Sequence, residues 1–117
     1  MKTLKFREHL SKEILAGRKT RTKRLFDEKN LSTGDVVLLL IWETKIEFAR
    51  AKILSVEEKI FDDLQADDFE GHQKYASREE LYAEFTGYYH RLVDGKTAVK
   101  VIYFELLSIG EIPAKGL

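Results

Sequence analysis

Val36-Val-Leu-Leu-Leu-Ile-Trp42 is the longest unbroken apolar run in the chain, and it constrains the fold more than any other feature. A run of seven residues falls far short of the roughly twenty that a membrane-spanning helix needs. It is also short for a globular helix, and it follows the turn pair Gly34-Asp35, so it reads as a buried core strand. The flanking segments supply its neighbours. Thr3–Phe6 can form a first strand, and Leu10, Ile14 and Leu15 then recur at helical spacing over about 8–16, with Gly17 placed to end that helix. Lys19–Arg24 alternates threonine with base and is extended strand or loop. Glu43-Thr-Lys45 can connect the core strand to a second one over 46–56, whose imperfect alternation calls for a bulge near Arg50. Ile60–Glu70 carries a short helical pattern, Ser77-Arg-Glu-Glu80 is a capping box opening a helix through Tyr88, and Ala98–Leu106 is strongly β-forming. The order β-α-β-β-β-α-α-β favours a small twisted sheet or barrel with helices at its ends over a doubly wound parallel sheet.

A chain of 117 residues with 44% hydrophobic and 34% charged residues has room for one globular domain. We expect a single domain over 1–117, its core at about 6–107 and a short tail at 108–117. The absence of cysteine excludes disulfides, thiol nucleophiles and cysteine metal sites. Charge interrupts the N-terminus before any apolar segment develops, so a cytoplasmic location without membrane association is expected. The formal net charge is zero, but the signs are segregated. Arg18, Lys19, Arg21, Lys23 and Arg24 fall in one stretch free of acids, whereas 57–70 is acidic with Lys59 as its one base. A protein built for tight non-specific DNA binding would be basic overall, so a local anion site fits better.

Ile14-Leu-Ala-Gly-Arg-Lys-Thr-Arg-Thr-Lys-Arg24, then Thr33-Gly-Asp-Val36, an acidic segment ending Phe69-Glu-Gly71, and Val101-Ile-Tyr-Phe-Glu105 form an ordered set. Together they resemble the ASCH family over roughly residues 6–107. The resemblance implies an α+β fold, a PUA-like small β-barrel of mixed strands with peripheral helices, and RNA or a modified nucleoside as partner. Bacterial members include an amidohydrolase that removes the acetyl group of N4-acetylcytidine, and a ribonuclease activity also belongs to the family. Carried over, the amidohydrolase's catalytic lysine, threonine and glutamate look like Lys19, Thr22 and Glu70, with Arg24 beside them. Region 72–92, with Tyr75, Tyr88 and Tyr89, departs from the compact cytidine enzyme.

The chemistry is coherent in its own terms. Without cysteine, a threonine hydroxyl activated by a base can attack an amide, and lysine can be that base only when neutral. The ordinary lysine pKa of about 10.4 must fall, which neighbouring cations and burial both favour. Glu70 would share protons with the leaving amine or hold the exocyclic group of the base. Arg24 would stabilise developing negative charge or bind phosphate. In a regular strand Lys19 and Thr22 point to opposite faces, so their joint action requires a break near Thr20, which Gly17 makes feasible.

Each element also has a plainer reading. Arg18, Arg21 and Arg24 either bind substrate or RNA or form a solvated basic strand edge. Tyr88 and Tyr89 either stack on a base or pack in the core, as does Trp42. Asp62, Asp63, Asp67 and Asp68 fit no calcium loop, and His9, His72 and His90 lack paired ligand spacing, so no metal or other cofactor is expected. No obligate protein partner is evident. The functional expectation is therefore a metal-independent amidohydrolase of N4-acylcytidine type, with a non-catalytic RNA-binding module or a metal-independent ribonuclease as alternatives.

Overall fold

In the computed structural model, residues 1–26, 29–64 and 77–107 are described. Five strands form one mixed sheet curled into a half-barrel with two helices. The elements are β1 (Thr3–Phe6), α1 (Glu8–Leu15), β2 (Arg21–Arg24), β3 (Val36–Ile41), β4 (Glu47–Ile60), α2 (Arg78–Tyr89) and β5 (Ala98–Leu106), with a 3-10 turn at Phe61–Asp63 after β4. The strand order is β1-β3-β4-β5-β2, and only the β1–β3 pairing is parallel. The expected small α+β barrel with peripheral helices is therefore the fold observed. Among the described residues, no helix is long and apolar enough to cross a membrane.

Strand alternation divides the core in two. On β5, Ile102 and Phe104 face one cluster with Leu4, Phe6, Ile14, Leu39 and Ile53. Val99 and Val101 face the other, which holds Leu25, Phe61, Leu81 and Phe85 beneath α2. Both faces of β5 are thus buried, as its apolar run implies.

β4 explains its own irregular pattern. Its pairing with β3 skips Phe48, between Ala49 and Glu47, and its pairing with β5 skips Leu54, between Ile53 and Ser55. The irregularities flank Arg50 instead of falling on it. Each extra residue reverses the alternation, so that Ile53 and Val56 both reach the first cluster.

One expectation is corrected here. The helical pattern at Ile60–Glu70 does not begin a helix at Ile60, because β4 continues to that residue, with Glu57, Lys59 and Ile60 paired to Val101, Val99 and Ala98. The ladder partners on β5 outweigh the local periodicity at Ile60, and among the described residues the 3-10 turn at Phe61–Asp63 follows it. Residues 65–76, including Asp67, Asp68, Glu70, His72 and Tyr75, lie outside the described residues, as does the tail at 108–117.

Candidate functional site

The site begins with the way α1 ends. Gly17 adopts φ +80°, a left-handed conformation that costs glycine little, and the N–H groups of both Arg18 and Lys19 then donate to the Glu13 carbonyl at 3.0 and 3.2 Å. The chain doubles back under the helix. Lys19 therefore precedes β2, and the alternation of that strand does not constrain it. This is the break that joint action with Thr22 required.

Arg18 goes outward and pairs with Glu13 at the surface. Lys19 goes inward and is 5% exposed, and Thr22 and Lys23 are buried too, at 3% and 4%. Burial disfavours the Lys19 ammonium, the charges of Arg24 and Lys23 add to the effect, and its pKa falls from 10.5 to about 7.

β1 and β2 are the two edges of the sheet. They come together through side chains: Arg24 donates from Nη2 to the Lys5 carbonyl at 2.7 Å and lays its guanidinium 4.8 Å from the centre of the Phe6 ring. A cavity of about 810 Å³ opens at this seam, with Lys19, Thr22 and Arg24 among its lining residues. Its aromatic wall comes from the end of α2, where Phe85, Tyr88 and Tyr89 stand.

Ser77 starts that helix by accepting the Glu80 N–H at 3.2 Å, and His90, at φ 54°, ends it. Tyr89 is committed to structure: its hydroxyl accepts the Leu25 N–H at 3.1 Å, and its ring stacks on Phe85 and meets Phe26 edge-on. Tyr88 is 48% exposed and donates to Glu84 at 2.8 Å. Partial desolvation and the Glu84 carboxylate raise its pKa, against a smaller opposing effect of Arg7.

The structure thus brings Lys19, Thr22, Arg24, Tyr88 and Tyr89 to one cavity. Arg18 and Arg21 are not among its lining residues. Strand alternation turns Arg21 away from Thr22, and its guanidinium lies 4.7 Å from the centre of the Tyr103 ring. Glu70 lies outside the described residues. Among those described, no group of three histidine or acidic side chains could hold a metal.

Sequence reasoning missed Lys5 and Arg7, which join Trp42 in the lining. Trp42 ends an apolar run yet is 44% exposed, because β3 stops at Ile41 and the indole stands in the following turn. The alternation of Leu4 and Phe6 with Lys5 and Arg7 was the available signal, but the parallel pairing that sets β1 beside β3 is long-range.

This curled five-stranded sheet with two helices has the α+β small-barrel fold of ASCH-domain structures. Solved structures of similar fold include the following three. A protein from Enterococcus faecalis V583 with the family model DUF984 has a TM-score of 0.69 at 17% identity, over 85% of this chain and 70% of that one. The ASCH domain from Lactobacillus crispatus JV V101 gives 0.65 at 11% identity, over 90% and 79%. An ASCH protein from Zymomonas mobilis gives 0.61 at 11% identity, over 93% and 76%. The sequence matches no family model and no curated protein. At these identities the likeness is one of fold.

Proposed function

We propose that the cavity takes RNA or a modified nucleoside, and that Lys19 and Thr22 hydrolyse an amide on it, of the N4-acylcytidine type. The observation that carries this reading is a buried lysine with a pKa of about 7 lining the same cavity as a buried threonine. Near neutrality such an amine can both accept and return a proton. In this scheme the neutral Lys19 Nζ takes the Thr22 hydroxyl proton as Oγ1 attacks the acyl carbon. The carbonyl oxygen becomes an oxyanion facing Arg24. Collapse breaks the C–N bond, and the Lys19 ammonium protonates the leaving amine. Water, deprotonated in turn by Lys19, then cleaves the Thr22 ester, releasing the carboxylic acid and restoring the hydroxyl. Glu70, which the resemblance makes catalytic, would share protons with the leaving amine or hold the exocyclic group of the base.

Release of cytidine from N4-acetylcytidine by the purified protein, with a chelator present, tests the reading. Lys19→Met should lower kcat about 10²- to 10⁴-fold, and Thr22→Val should abolish turnover while Thr22→Ser retains part of it. Wild-type turnover no greater than that of Lys19→Met would overturn it. The aromatic and basic lining favours a second reading, an RNA-binding module without chemistry. Its signature is RNA affinity that falls steeply with salt and survives Thr22→Val.

A further inference from the structure

The mouth of the cavity gathers positive charge in a way that a neutral nucleoside does not require. β1 pairs in parallel with β3, Phe6 opposite Ile41, and the Trp42 N–H then donates to the Phe6 carbonyl at 2.7 Å. This backbone bond fixes the indole beside the end of β1. Lys5 and Arg7, one turn of the alternation apart, bring their charged heads to 5.5 and 5.4 Å from the indole centre. The turn after β3 brings a third. Lys45, at φ 61°, folds back so that its N–H donates to the Ile41 carbonyl and its ammonium to the Trp42 carbonyl, 3.8 Å from the same ring.

Three cations around one indole repel one another, and the ring quadrupole offsets only part of that repulsion. None of the three pairs with a described carboxylate. Glu43, the acid next to Trp42 in sequence, is turned toward α1, where it accepts the Glu8 N–H at 3.0 Å. Lys5, Arg7 and Trp42 line the cavity that contains Lys19 and Thr22, Lys45 stands on the same indole, and among the described residues the three charges add to a local positive potential there.

We propose that Lys5, Arg7 and Lys45, organised by Trp42, form a phosphate subsite, so that the ligand is a phosphorylated nucleoside whose phosphate rests at the mouth while its base enters the cavity. The inference rests on reading the cavity as a nucleoside site, and it narrows the ligand from nucleoside to nucleotide. The phosphate is the monoester of a free nucleotide or the diester of an RNA chain. Lysine supplies point charge to either, and the arginine fork can engage two of its oxygens.

Calorimetric titration with cytidine, cytidine 5′-monophosphate and a short single-stranded RNA at low salt tests this without any appeal to turnover. The phosphorylated probes should bind about tenfold or more tightly than cytidine. The combined Lys5→Ala, Arg7→Ala and Lys45→Ala variant should reduce that preference to within about twofold. Lys45→Ala alone, in an exposed turn, should lower it part of the way and keeps the test valid if the triple variant misfolds. Tight binding of the monophosphate supports a free nucleotide as source, and tight binding of the RNA alone supports a chain. Equal affinity for cytidine and both phosphorylated probes would overturn the proposal, as would a preference that survives the triple variant, or no binding by any probe. Cleavage of N4-acetylcytidine with no phosphate preference would overturn this subsite and leave the amidohydrolase reading intact. Phosphate-dependent binding without turnover would do the reverse.

Discussion

Lys19 carries two consequences that a single substitution separates. Burial lowers its pKa in the folded protein from 10.5 to about 7, so between those pH values the unfolded chain binds more protons than the folded one. Stability therefore gains from this residue as pH rises from about 7 toward 10.5, and is least favoured below about 7, where the fold must hold a buried ammonium. Urea midpoints measured across that window should rise more steeply for wild type than for Lys19→Met, whose methionine does not titrate. If Lys19 also serves as the base, kcat/KM should rise through about pH 7 as the amine loses its proton. Parallel stability profiles for the two proteins would show that Lys19 is not desolvated in solution. The direction of this residue's pKa shift was legible beforehand, since burial and the bases around it both lower it. The positions of Arg18 and Arg21 were less so. Arg21's placement on the opposite face, against Tyr103, follows from its parity with Thr22, but Arg18 depends on the hydrogen bonds that reverse the chain at Gly17.

Elements set where these residues stand, and Gly17 is the sharpest case. A Cβ there would meet nothing within 4 Å, so Gly17→Ala costs only the left-handed backbone, about 1–2 kcal/mol. Ser77→Ala removes the N-cap of α2 and costs about 1 kcal/mol. The two variants should lose similar stability in chemical denaturation. Activity should fall well beyond that loss only in Gly17→Ala, because Gly17 aims Lys19, whereas Ser77 sits at the far end of the helix whose last turn lines the cavity. Equal activities would mean that the turn after α1 does not position the lysine. The bounds of β1, α1, α2 and β5 were readable from periodicity, glycine and capping signals, all of which are local. The length of β4 was not, because Glu57–Ile60 is held by partners on β5 about forty residues away in the chain. The exposure of Trp42 was hidden for a similar reason: an apolar run shows where a strand lies but not which of its ends emerges into a turn.

At the scale of the whole molecule, β5 belongs to both core clusters, with Val101 on one side and Ile102 on the other. Neither cluster can lose its packing without disturbing the strand that they share. Ile102→Ala should cost about 2–5 kcal/mol. It should leave a single transition in which Trp42 fluorescence, reporting near the first cluster, coincides with far-UV circular dichroism. Two separated transitions would show that the clusters unfold independently. The topology has a further effect. β1 and β2 are separated by one helix in sequence yet lie at opposite edges of the sheet, and β2 pairs with β5, the last of the described strands. The residues of the seam thus leave the ribosome early but acquire their shape late. Lys19, Thr22 and Arg24 lack the strand that holds β2 until residues 98–106 have emerged, so an interrupted chain carries the whole basic motif without the pairing that sets it in the cavity wall.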